Sequence, residues 1–299
     1  MKKMAAVLLS VTMAAGAFSV CGVQAAQEEA AVPSGLQTQA ALYVHAVTGA
    51  QDGEAWQMWQ SAHDERFNEA NTSEKFFFLP SSADGEKLEI YNAFGSSVTL
   101  GGVTIPAGET KTVPYSTDGS STVTAQGRTY TLTYMRSSAE AAVYINQADA
   151  DGNGTDLMTY LNADKSRSSA ATGAIVTPDG TIDNTPVKKI KGRGNTSWDK
   201  PKKGYNITYD KKVSVAGMAK NKKYSILPNY QDDSLARNRI LYDLSDAVGM
   251  PYASDSRFVD FYVNGYYRGV YQMAEKVEAG SLVTDVSVTC SPLDLVRAS

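Results

Sequence analysis

The sequence predicts an α+β fold: a small all-β, sandwich-like module followed by a domain that mixes strands with one marked helix. Three observations lead there. Between residues 41 and 137, β-branched and aromatic runs recur at intervals near ten residues, punctuated by Gly, Pro and Asp. Further on, a strand, a helix and a tight hairpin follow one another. The charge also changes sign along the chain. Residues 27–95 carry eleven Asp/Glu against three Lys/Arg, whereas residues 186–223 carry twelve Lys/Arg against two Asp. A length of 299 residues fits two domains, and 42% hydrophobic with 20% charged residues is an ordinary globular composition. The basic stretch points to an anionic partner, with a merely solvated surface as the other reading.

Residues 1–25 read as an export signal peptide. Lys2 and Lys3 precede a charge-free run from Met4 to Val23, and Val23-Gln24-Ala25 supplies a small-x-small cleavage pattern. The expected location is secreted or on the cell surface, with no membrane span after cleavage. An uncleaved anchor is one alternative, since the run is about long enough to cross a bilayer, and lipidation of Cys21 is another. Only Cys290 then remains, so no internal disulfide is expected. Residues 26–40, rich in Ala, Gln and Glu, read as a flexible lead-in.

The module at 41–137 is assembled from short strands. Ala41 to Val44, Phe76 to Leu79, Lys87 to Tyr91, Ser97 to Leu100, Val103 to Ile105, Ser121 to Ala125 and Thr129 to Tyr134 are the candidates, with hairpin turns at Gly101-Gly102 and Asp118-Gly119. A helix is expected over Glu54 to Ala70. The chain's two histidines, His45 and His63, have no Cys or paired His nearby, so no metal site is expected.

The second domain is expected over 140–285. Asp149 to Asp156 matches the opening of a calcium-binding loop, but Tyr160 stands where a bidentate carboxylate is required, which leaves a solvated Asp/Gly turn or a weak calcium site. Val143 to Ile145 is a strand, Lys165 to Ala174 a loop, and Pro178-Asp179-Gly180 a hairpin turn. Gly192, Arg193, Gly194 and Asn195 then form a turn whose backbone N–H groups could make an anion-binding nest. In the strand Lys203 to Tyr209, Tyr205, Ile207 and Tyr209 share the buried face, and Lys203 points the same way. Lys203 either meets a phosphate or snorkels to water. A helix follows, capped by Asp232, Asp233 or Ser234, with the apolar stripe Leu235, Leu241, Leu244, Val248 and an end at Gly249. Arg257 to Val263, an Asn264-Gly265 turn and Tyr267 to Met273 make a hairpin, and Glu275-Lys276-Val277-Glu278 closes the unit.

The runs IKGRGNTSWDKPKKGYNI and LPNYQDDSLARNRILYDLSDAVGMPYASDSRFVDFYVNGYYRGVYQMAEKVE resemble the CotH family of secreted and spore-coat proteins with an atypical protein-kinase fold. The resemblance implies the amino-terminal lobe of that fold and use of ATP and Mg²⁺ to phosphorylate serines of extracytoplasmic proteins. It implies that Gly192, Arg193, Gly194, Asn195 and Lys203 face the nucleotide. Arg237 and Asn238 would lie on the helix packed against them, and Glu275 near the hinge. Trp198 would cover the turn or fill the core. The family's catalytic acids belong to a carboxy-terminal lobe, so none is assigned here. Residues 286–299 depart from the family pattern, and the chain is expected to be truncated and inactive as written. The alternative function is a non-enzymatic surface protein whose basic patch and β-module bind a cell-wall polyanion. Nucleic acid is not an expected partner. The absence of a His/Cys cluster and of Gly-x-Ser-x-Gly gives no support to a metal or serine hydrolase.

Overall fold

The computed structural model describes residues 42–45, 59–61, 74–125, 128–250 and 253–276. The signal-peptide, lead-in and tail assignments lie outside these residues. Internal contacts divide the chain into two units: residues up to 78 with 84–135 form one, and residues 79–83 with those from 136 onward form the other.

In the first unit, β1 (Leu42–His45), β2 (Trp59–Ser61), β4 (Lys87–Asn92) and β7 (Thr110–Pro114) form a sheet of order β2-β1-β4-β7. A second sheet has the order β3-β9-β8-β5-β6, from β3 (Glu74–Leu79), β5 (Val98–Leu100), β6 (Val103–Ile105), β8 (Ser120–Ala125) and β9 (Arg128–Arg136). Alternation decides which face is buried: Leu88, Ile90 and Asn92 of β4 are buried, as are Val123 and Ala125 of β8. The buried Asn92 amide donates to the Ser96 and Ile105 carbonyls at 3.0 and 2.9 Å, so its polarity is matched. His45 is buried with Nδ1 3.5 Å from Glu89. The helix expected over Glu54 to Ala70 is contradicted at residues 59–61, which pair antiparallel with β1. Gly101 and Gly102, both at positive φ, make the β5–β6 hairpin, whereas Asp118-Gly119 links β7 to β8 in different sheets.

The second unit is a closed β-barrel. Its strands are β10 (Ala141–Asn146), β11 (Ser168–Val176), β13 (Val187–Arg193), β14 (Gly204–Val213), β15 (Asn221–Leu227), β16 (Ser256–Val263) and β17 (Tyr266–Glu275). They run in the order β10-β16-β17-β15-β14-β13-β11, and β11 pairs back onto β10. The short β12 (Ile182–Asn184) adds to β11. Each of these barrel pairings is antiparallel except that of β10 with β16. Inward positions alternate: Val143 and Ile145, Tyr205, Ile207 and Tyr209, Phe261 and Val263 fill the interior. A short helix, α1 (Leu157–Ala163), closes on this core with Leu157, Met158 and Leu161, its start capped by Asp156. A second helix, α2 (Arg237–Ala247), has no buried residue.

This architecture overturns the α+β kinase-lobe expectation for residues 140–285. Seven strands close on themselves, and only two α-helices occur among the described residues. Closure depends on β10, whose two edges take up β11 and β16, strands separated by some eighty residues of sequence. The loop expected at Lys165 to Ala174 is largely strand β11, where Ser, Ala and Gly hid the alternation. Gly173 is needed there, because a Cβ would stand 2.9 Å from the Thr185 carbonyl oxygen. The expected apolar stripe is not buried: Leu241, Leu244 and Val248 are more than half exposed and Leu235, which precedes α2, is 36% exposed. In the Asp149–Asp156 loop, Asp149 accepts from the Gly154 N–H, and Asp151 from the Asn153 N–H and the Thr155 hydroxyl, at 2.9 to 3.0 Å. Those bonds hold the Asp151 carboxyl below its usual pKa, the Asn153 N–H most of all.

Candidate anion-binding site

The site begins where β13 runs out. Gly192 is buried, and a Cβ there would stand 2.5 Å from the Trp198 ring, so glycine lets the indole lie across the strand end. Gly194 then adopts φ +108°, a conformation open to glycine, and residues Thr196–Asp199 make a 3-10 turn. Trp198 packs edge-on to Tyr205 with ring centroids 6.4 Å apart. Lys203 donates its ammonium to the Trp198 carbonyl and lies 4.7 Å over the Trp198 ring. Lys165, from the segment after α1, donates to the Gly194 carbonyl at 2.8 Å. Two lysines therefore brace the turn by its carbonyl groups.

Arg193 is left on the other side of the turn. Its guanidinium is half-buried, and no carboxylate among the described residues lies within ion-pair distance. Burial pulls its pKa below the ordinary arginine value, and Tyr242 acts in the opposite sense. It stays a cation at neutral pH. Opposite it on β14 is Gly204, where the missing side chain leaves room for the Arg193 stem. Arg193 lines a cleft of about 280 Å³ with Ser197, Lys200, residues 227–232, Arg237 and Asn238.

The far wall is held by a chain of amides. Asn238 of α2 donates to the Asn229 side chain at 2.9 Å, Asn229 donates to Gln272 of β17 at 2.9 Å, and the fully buried Gln272 donates to Ser256 at 2.9 Å. With no buried apolar residue, α2 is positioned by this chain and by Arg239, which bonds Glu140 at 2.8 Å. Asp232 accepts from the Arg237 backbone N–H at 2.8 Å and from Ser234 at 2.7 Å. The Ser234 hydroxyl is the first cause holding its pKa below the usual range.

The candidates read from sequence separate into three groups. Arg193 lines the cleft together with Arg237 and Asn238. Gly192, Gly194 and Lys203 build the turn beside it, while Asn195 is exposed and makes no side-chain cap on that turn. Glu275 lies apart: it pairs with Tyr224, three residues along β17 from Gln272, and its carboxylate accepts from the Asp255 N–H. Burial raises its pKa. Lys165, Gly204, Asn229 and Gln272 carry no sequence signal for this site, and Lys200 stands out in the sequence only as part of the basic patch. Lys165 is 29 residues from the carbonyl it holds, and no local pattern marks it.

Three cations line an open cleft of the β-barrel: Arg237 is paired with Asp232 at 3.5 Å, while Arg193 and Lys200 have no ion-pair partner among the described residues, an arrangement suited to an anion. The family model described as CotH kinase protein matches residues 190–291, so the similarity to the CotH family is shown over that stretch, which contains every residue lining the cleft. That family uses ATP and Mg²⁺ in general. No curated protein matches the chain. No helix among the described residues is long and apolar enough to cross a membrane, which says nothing of membrane β-barrels.

Proposed function

We propose that the barrel unit binds the phosphate groups of ATP in the Arg193 cleft, as part of phosphoryl transfer to serine hydroxyls of extracytoplasmic proteins. The observation that carries this reading is the half-buried Arg193 guanidinium without a carboxylate partner. A cation held partly out of water without a counter-charge loses solvation, and a phosphate restores the balance through charge-assisted hydrogen bonds. Lys200 adds charge at the rim, where Arg237 is already paired with Asp232 at 3.5 Å, and the Asn229 and Asn238 amides add neutral donors and acceptors. The CotH match and the leader-like residues 1–25 support the choice of nucleotide and the setting.

The cleft fits phosphate and does not fit a metal. No group of three His, Cys, Asp or Glu able to hold a metal occurs among the described residues, and Asp232 already accepts from Ser234 and Arg237. The residues present therefore bind and orient; none is assigned to proton transfer. ATP, when bound, supplies the phosphoryl group. Arg193 anchors its charge, while Lys165 and Lys203 keep the turn from collapsing into the cleft.

Titration with ATP, ADP and adenosine tests the reading. Affinity should fall roughly tenfold or more from ATP to adenosine, as expected when charged phosphate contacts dominate. Equal binding of all three, or of none, overturns it.

A further inference from the structure

The same three strands that end at the cleft begin or end, at the opposite edge of the barrel, in a concentration of lysines. Lys188 and Lys189 open β13, Lys211 and Lys212 close β14, and Lys220 and Lys222 lead into β15. All six are exposed. The pairing register brings them together: Val187 faces Tyr209, Lys189 faces Thr208, and Val213 faces Asn221, so Lys212 and Lys222 flank one cross-strand pair. Lys211 has an ion-pair partner, Asp183, at 3.0 Å. Lys188, Lys189, Lys212, Lys220 and Lys222 have none among the described residues. Like charges placed opposite one another across a sheet cost stability unless something neutralises them. Lys189 lies four residues before Arg193 on β13, about 13 Å at the usual rise per residue, so this surface is separate from the cleft.

We infer that this edge of the barrel is a docking surface for a flexible linear phosphate polymer. The partner's chemistry follows from the residue types. Every cation here is a lysine, a compact point charge with rotatable donors on a flexible stem, which suits successive anionic groups of a mobile chain and lacks the rigid fork by which arginine grips one fixed phosphate or carboxylate. No exposed aromatic ring stands among the six lysines to stack a base, and base stacking is what retains single-stranded nucleic acid. An anionic backbone without bases is the polymer that such a surface holds.

Inorganic polyphosphate is the probe, with polyglutamate as the carboxylate competitor. The full chain should bind polyphosphate with an affinity that falls steeply as salt rises. In the variant carrying Lys188→Gln, Lys212→Gln and Lys222→Gln, affinity at low salt should drop roughly tenfold or more. The log–log salt slope should shrink by about 2, near 0.7 for each lost contact. An unchanged melting temperature would show that the variant is folded. Unaltered binding by this triple variant overturns the surface. So does loss of polyphosphate binding in Arg193→Gln with retention in the triple variant, which would place the polymer in the cleft. Displacement of polyphosphate by polyglutamate at equal charge concentration overturns the phosphate assignment.

Discussion

Trp198 lies where a side chain on Gly192 would have to go: a Cβ there would stand 2.5 Å from two atoms of the indole ring. The turn that shapes the cleft therefore depends on a missing side chain at one residue and a large ring at another. Gly192→Ala should push the ring off the strand end and cost about 1–3 kcal/mol, as overpacking does. Urea unfolding measures the loss, and Trp198→Leu in the same background should recover part of it by removing the clash.

Lys165 tests whether the turn is braced. Its ammonium bonds the Gly194 carbonyl at 2.8 Å across 29 residues of sequence. Lys165→Met keeps the stem and removes the donor, so stability should fall by about 1 kcal/mol and ATP affinity should fall with it. A variant of unchanged stability and affinity would show that the bond braces nothing.

Asp260 predicts a pH dependence. It is fully buried on β16, its Oδ1 accepts from the Tyr267 hydroxyl at 3.1 Å, and its Oδ2 has no hydrogen bond. Burial raises its pKa to about 6. The folded protein thus holds this proton at pH values where the unfolded chain has released it. Stability should decline as pH rises from about 4 to about 6, by something on the order of 3 kcal/mol. Asp260→Asn should remove that decline and raise stability at pH 7. Acidic groups with lowered pKa, such as Asp151 and Asp232, act in the opposite direction below this window. Melting temperatures of both proteins at pH 4.5 and pH 7 decide the matter, and parallel pH profiles would contradict it.

The exposed stripe of α2 makes a prediction opposite to the one its sequence suggests. Leu244 is 53% exposed, so Leu244→Glu should change stability by no more than about 0.5 kcal/mol, the usual range for surface substitutions. A loss of several kcal/mol would show that the stripe is packed.

What the sequence made legible was local. The Asn264-Gly265 turn has both residues at positive φ, as the dipeptide predicts, and Tyr205, Ile207 and Tyr209 are buried on one face of β14 as alternation requires. Closure of the barrel was not legible, because it rests on β10 meeting β11 and β16, and register between distant strands leaves no local mark. The stripe on α2 shows the reverse failure. Its periodicity is genuine, yet a period says which side of a helix is apolar and not whether another element covers it. In the site, Arg193 drew notice from its glycine neighbours, whereas Lys200, Asn229 and Gln272 reach the cleft and its wall only through the fold.

The most direct measurement is the equilibrium affinity for ATP of the chain and of Arg193→Gln, taken alongside their melting temperatures. Because Arg193 has no ion pair among the described residues and its partial burial is uncompensated, the substitution should leave stability unchanged or slightly higher. ATP affinity should weaken roughly tenfold or more, the scale of one charge-assisted contact. Saturable ATP binding of equal strength in both proteins would contradict the assignment of this cleft to phosphate.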